Sequence, residues 1–155
     1  MYVLDAGVLS RLAHAARAQY QPVGEWVDRN LARRAEGVRV VVPEIADYEV
    51  RRKLIHLIRG QRASSRSLRR LDELTQTLDD LPLRTPVMRR AAQLWADARA
   101  AGVPAAPEAG LDADVILAAQ TEEVGGTVVT TNPRHLRRFV PVLAWADVEA
   151  GREGT

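Results

Sequence analysis

Four acids stand where the chain is set to change from one element to the next. Asp5 ends the short apolar run of residues 2–4, Glu49 lies in a helical stretch that follows the β-branched run of residues 38–42, and Asp112 and Asp114 open an apolar helix. If such acids meet, they repel: two unit charges 4 Å apart cost ~1 kcal/mol in water and ~4 kcal/mol at an effective dielectric of 20. A divalent cation offsets that cost. Hard oxygen ligands with open water positions suit Mg2+ or Mn2+, and such an ion polarises a phosphoryl oxygen and makes hydroxide available near neutral pH, so phosphodiester hydrolysis is the chemistry to expect. Plainer roles stand beside this one. Asp112 and Asp114 also suit the first turn of their helix, and Glu49 is spaced to pair with Lys53 one turn on. Asp5 is harder to explain away, because an acid ending a buried strand loses solvation unless a charged or hydrogen-bonding group meets it.

The helix expected from Glu44 to Arg59 separates two faces at 100° per residue. Ala46, Val50, Leu54, Leu57 and Ile58 share one; Glu49, Arg52, Lys53, His56 and Arg59 share the other. An acid bordered by cations fits a groove that takes a metal and a phosphate, and equally a salt-laced surface helix. Basic residues are grouped elsewhere too, including Arg33, Arg34, Arg69 and Arg70, against a formal net charge of only +2. Other chemistries find little to stand on. The chain has no cysteine, which removes thiolate metal sites, disulfides and thiol nucleophiles. It has no G-x-S-x-G elbow, its three histidines lack paired metal spacing, and Gly7 stands where a phosphatase of the haloacid dehalogenase type needs a second aspartate.

The elements that must position these acids alternate. A strand over residues 2–4 turns into a helix through Val8, Leu9 and Leu12; a helix over residues 24–36 stops at Gly37; a strand follows over 38–42. Pro43 and Glu44 start the helix that Gly60 ends. Serines at 64, 65 and 67 cap a helix through Leu68, Leu71, Leu74, Leu78 and Leu81, and Pro82-Leu83 leaves room for an edge strand. Helices are expected from Pro86 to about Ala101 and from Leu111 to Val124, with a loop over 102–110 between them. A strand over 127–130, a helical stretch from Asn132-Pro133 to near Phe139 and a last strand at Val142-Leu143 complete the series. Short strands separated by helices imply a mostly parallel sheet covered on both faces, with ligands gathered beyond the strands' carboxyl ends.

Four strings occur in order: Met1-Tyr2-Val3-Leu4-Asp5-Ala6-Gly7-Val8-Leu9-Ser10, Glu44-Ile45-Ala46-Asp47-Tyr48-Glu49-Val50-Arg51-Arg52, Leu111-Asp112-Ala113-Asp114-Val115-Ile116-Leu117-Ala118-Ala119 and Thr130-Thr131-Asn132-Pro133-Arg134-His135-Leu136. Together they resemble the PIN domain family, especially its VapC-type toxins, over nearly the whole chain. The resemblance implies an α/β fold, a PIN-like three-layer α/β/α sandwich with a mostly parallel central sheet. It implies a Mg2+- or Mn2+-dependent endoribonuclease, the toxin of a type II toxin-antitoxin pair, with RNA as substrate, a VapB-type antitoxin as partner and a homodimer as assembly. Asp5, Glu49 and Asp114 match the family's three acids, Asp112 is an additional acid beside the third, and Asn132 falls on the last metal-site position. Thr130 is the polar residue near that position, and Arg52, Thr130, Arg134 and His135 are expected to contact the substrate.

Two places depart from the family's pattern. Ala6 and Gly7 replace the polar residues usual after the first acid, so hydrogen-bond support for Asp5 is missing or comes from elsewhere, and Asn132 replaces an acid. These leave open a second reading, a catalytically weak or inactive PIN-like module that binds RNA or protein. The 155 residues are expected to form one domain over 1–147 with a flexible tail over 148–155. No apolar run approaches the ~20 residues needed to span a bilayer, and an acid at position 5 interrupts any secretory pattern, so a cytoplasmic protein is expected.

Overall fold

The structure is a computed structural model that describes residues 1–14, 21–102 and 108–150. Five strands form one sheet: β1 (Tyr2–Leu4), β2 (Val40–Pro43), β3 (Asp79–Leu81), β4 (Thr127–Thr130) and β5 (Val142–Ala144). All neighbours are parallel, in the order β3-β2-β1-β4-β5. Because successive side chains on a strand face opposite ways, the sheet divides its apolar residues between two cores. Leu4, Val40, Val42 and Val129 face one, with α1 (Ala6–Ala13), α2 (Gln21–Ala32), α3 (Glu44–Arg59), α4 (Ser65–Thr77) and the last helix, α8 (Trp145–Glu149). Val3, Val41 and Val128 face the other, with α5 (Thr85–Ala100), α6 (Glu108–Glu123) and the short α7 (Pro133–Leu136). Burial on both faces explains why β1 and β2 read as unbroken apolar runs.

Trp26 anchors the first core. It is fully buried, with Tyr2 set edge-on at 5.1 Å and Trp145 at 6.2 Å between ring centroids. In the second, Gln120 of α6 is also fully buried and donates from Nε2 to the Leu81 carbonyl at 2.6 Å, tying α6 to the sheet's edge.

Three expectations need correction. The edge strand is Asp79–Leu81 rather than Pro82-Leu83, and α4 stops at Thr77. A proline has no N–H for a ladder, and Leu78 and Leu81 are buried in opposite cores, as strand residues are. The helix before β2 ends at Ala32, and a separate 3-10 turn, Arg34–Glu36, leads to Gly37 at φ 87°. At the other end α8 runs two residues past Asp147 and buries Val148, so the ordered chain extends beyond the expected boundary; residues 151–155 of the expected tail lie outside the described residues, as do residues 103–107 of the loop expected over 102–110. Among the described residues, no helix is long and apolar enough to cross a membrane.

The order of strands sets the place for a site. From β1 the chain builds outward through β2 and β3 on one side, then returns to lay β4 and β5 on the other. The connections therefore diverge beyond the carboxyl ends of β1 and β4, leaving a crevice there.

Candidate active site

Asp5 stands in that crevice, directly after β1. Its N–H donates to the Val129 carbonyl of β4 at 3.0 Å, and its own carbonyl accepts from Leu9 N–H at 2.9 Å in the first turn of α1. The main chain is thus held from both sides. Its Oδ2 accepts from the Thr130 hydroxyl, and that hydroxyl accepts in turn from Asn132 N–H at 3.0 Å. Burial pushes the Asp5 pKa above the ordinary carboxylate value, while the Thr130 hydroxyl and the amides of Ala6 and Gly7 oppose the rise. The support missing after the first acid therefore comes from β4. Thr130, expected to touch substrate, is fully buried beneath the acid instead, where it orients Asp5 and cannot reach a bound chain.

Glu49 approaches from α3, on the face expected for it. Its pKa is raised by burial first and then by the negative charge of Asp5; Arg52 lowers it and Asp114 raises it. Asp114 comes from α6. Its pKa is pushed up to about 6, again by burial first, with His135 pulling down, Asp5 pushing up and Arg138 pulling down. Three carboxylates from β1, α3 and α6 therefore lie in one another's fields, the convergence their spacing could not show. His135 places Nδ1 3.8 Å from Asp114 Oδ2, and Arg52 places Nη2 3.7 Å from Glu49 Oε1, so Glu49 meets Arg52 rather than the expected Lys53. A groove of about 680 Å³ lies between α1 and α3, with Gly7, Ser10, Glu49, Arg52, Lys53 and His56 on its walls.

Asp112 is not brought to this centre. It is exposed and lines a separate, mainly apolar cleft with Met88, Trp95 and Ile116 between α5 and α6. Two residues along a helix turn through about 200°, so Asp112 must point away when Asp114 points in. Asn132 is exposed at the start of α7, contributing its backbone N–H to Thr130, and Arg134 is exposed beside it. Sequence reasoning missed Arg138, whose only signal was its place one turn after Arg134, and Ser10, which follows Asp5 by five residues.

The residues can be tested against a dication. Among the described residues no group of three His, Asp or Glu side chains is arranged to hold a metal ion, so the set of Asp5, Glu49, Asp112, Asp114 and Asn132 is not an assembled cage. Mg2+ does not need one: it keeps several waters and binds through one or two carboxylates plus substrate phosphates. Hard oxygen donors whose pKa values are raised by burial, and for Glu49 and Asp114 also by neighbouring negative charge, are suited to such an ion, and Asp5 with Asp114 or Glu49 supplies them.

Solved structures share this fold. VapBC2 from Rickettsia felis, solved bound to a DNA fragment from its promoter, has a TM-score of 0.67 at 15% identity, covering 93% of this chain and 98% of that one. FitAcB from Neisseria gonorrhoeae gives 0.66 at 22%, covering 92% and 96%. DNA-bound VapBC from Salmonella typhimurium gives 0.64 at 21%, covering 93% and 97%. No curated protein matches the chain. The PIN domain model matches residues 2–140, and with a match over so much of its length the chain belongs to the PIN domain family.

Proposed function

We propose that the protein is a Mg2+- or Mn2+-dependent endoribonuclease acting in the cytoplasm, the toxin of a VapBC-type pair. One observation carries this reading: Asp5, Glu49 and Asp114 converge at the carboxyl edge of a PIN sheet, where burial raises the proton affinity of all three and the charge of Asp5 adds to the rise for Glu49 and Asp114. A dication bound there polarises a phosphoryl oxygen and supplies hydroxide near neutral pH. Asp5, pinned by Thr130, and Asp114 would hold the ion, and Glu49 would orient the attacking water. Arg52, Lys53 and His56 along the groove, with Arg134, His135 and Arg138 on the other side, position the phosphates of a single RNA strand across the acids. Hydrolysis forms a bond from water oxygen to phosphorus, breaks the phosphorus–ester bond, and delivers a proton to the leaving oxygen.

The antitoxin is the second partner. A small VapB-type protein that lays a basic side chain into the groove would satisfy the carboxylates in place of the metal, and the structural likeness to proteins solved as VapBC pairs supports such a partner. A homodimer is the expected assembly.

The test incubates purified protein with total RNA and Mg2+ or Mn2+. Discrete cleavage is expected, abolished by a chelator and reduced at least about 100-fold in Asp5→Asn and Asp114→Asn, as loss of metal-supported charge stabilisation requires. Activity that survives Asp5→Asn would place the site elsewhere. Mn2+ binding no tighter than in the Asp5→Asn, Asp114→Asn double variant would instead favour an inactive PIN-like module.

A further inference from the structure

Thr131 occupies the room that Gly7 leaves. A Cβ built on Gly7 would lie 2.5 Å from Thr131 Oγ1, closer than such atoms come in real proteins, and 3.7 Å from Asp5 Oδ2. The Thr131 hydroxyl and the Asp5 carboxylate therefore flank one point, reached from the ends of the two strands that border the crevice. Glycine is not there for its backbone: Gly7 is in the first turn of α1, without a positive φ, where alanine is the better helix former. The space is what only glycine can give.

The two threonines divide the work by direction. Thr130 ends β4 fully buried under Asp5, while Thr131, in the bend that follows, is exposed. Asp5 Oδ2 already accepts from Thr130, so Thr131 is not required to hold the acid. Gly7 forms part of the groove wall with Glu49 and Arg52, and the Thr131 hydroxyl lies against Gly7 on the side of Asp5, so it stands between that wall and the first acid. An anionic phosphate entering among carboxylates needs donors there, and a neutral hydroxyl supplies one without drawing the acids away from a cation.

We propose that Thr131 is a substrate-contacting residue, its hydroxyl donating to a non-bridging oxygen of the scissile phosphate, and that position 7 is glycine because a Cβ would displace that hydroxyl. The proposal rests on the nuclease reading above. Its test measures kcat, KM and Mn2+ affinity on an oligoribonucleotide that the wild type cuts, for T131V, T131S, G7A and the G7A/T131V double variant. T131V is expected to lower kcat about 10- to 100-fold, as removal of one transition-state donor does, with Mn2+ affinity within about twofold of wild type. T131S should recover to within about threefold, because the hydroxyl returns. G7A should be slow as well, and the double variant no slower than T131V, since both changes remove the same contact.

T131V cutting at the wild-type rate, T131S as slow as T131V, or losses that multiply in the double variant would each overturn the proposal while leaving the nuclease reading intact. A wild type that cuts no RNA with either metal would overturn both.

Discussion

Thr130 and Asp5 are 125 residues apart in sequence and share one hydrogen bond. The hydroxyl works in two directions, donating to the carboxylate and accepting from Asn132 N–H, so it fixes the acid and the start of α7 together. Replacing it with a shape-matched methyl in Thr130→Val leaves both partners unmet in a buried place. The expected cost is about 1–3 kcal/mol of folding stability, read by denaturant unfolding, with Mn2+ affinity lower by about 10- to 100-fold, the usual penalty when a group that orients a metal ligand is lost. A variant with wild-type affinity would mean that Asp5 needs no such support. Asp5 itself was legible, because an acid closing a buried apolar strand demands a partner. The partner's identity was not: Thr130 reads as an ordinary strand residue until β4 is laid beside β1, and the polar support appeared to be lacking while only Ala6 and Gly7 were in view.

At the scale of elements, phase decides which acids count. Asp112 and Asp114 look equivalent as letters, yet α6 buries Leu111, Val115 and Ala118 on its inner face, and that packing turns Asp114 toward Glu49 and Asp112 toward Trp95. Asp112→Asn should therefore keep RNA cleavage and Mn2+ affinity within about twofold of wild type, as exposed substitutions do, whereas Asp114→Asn should not; equal losses would show that both acids serve the centre. The helix was legible from its apolar run, while its rotation depended on contacts with β3 and α5 that no local pattern encodes. The edge strand shows the same limit. Leu71, Leu74, Leu78 and Leu81 keep helical spacing, but Leu78 N–H makes the closing bond to Leu74 O at 2.9 Å, and Leu81 crosses to the other core. Gln120, buried among apolar side chains, gave no sign that its amide would meet the Leu81 carbonyl.

For the whole molecule, the sheet holds carboxylates together at a place where, without a metal, they disfavour one another. The consequence is a stability that depends on pH with a definite sign. The folded chain raises the Asp114 pKa from an ordinary 3.8 to about 6, so between those values it retains a proton that the unfolded chain has released. Stability from this group therefore falls as pH rises from about 4 to 6 and is level above that. Asp5 and Glu49 are shifted the same way. Asp79, held low first by Arg39, and Glu122, held low by Arg90, act in the opposite sense, so the quantity to read is the difference in unfolding free energy between wild type and Asp114→Asn. Metal-free, that difference should shift against the wild type across the window and then stay constant. With saturating Mn2+ it should reverse, because the ion displaces the proton and binds more tightly as pH rises through 6. A metal-free difference that moves in favour of the wild type over the same range would mean that Asp114 carries its charge at no cost, and that its neighbours in the fold do not concentrate negative charge where the proposed ion belongs.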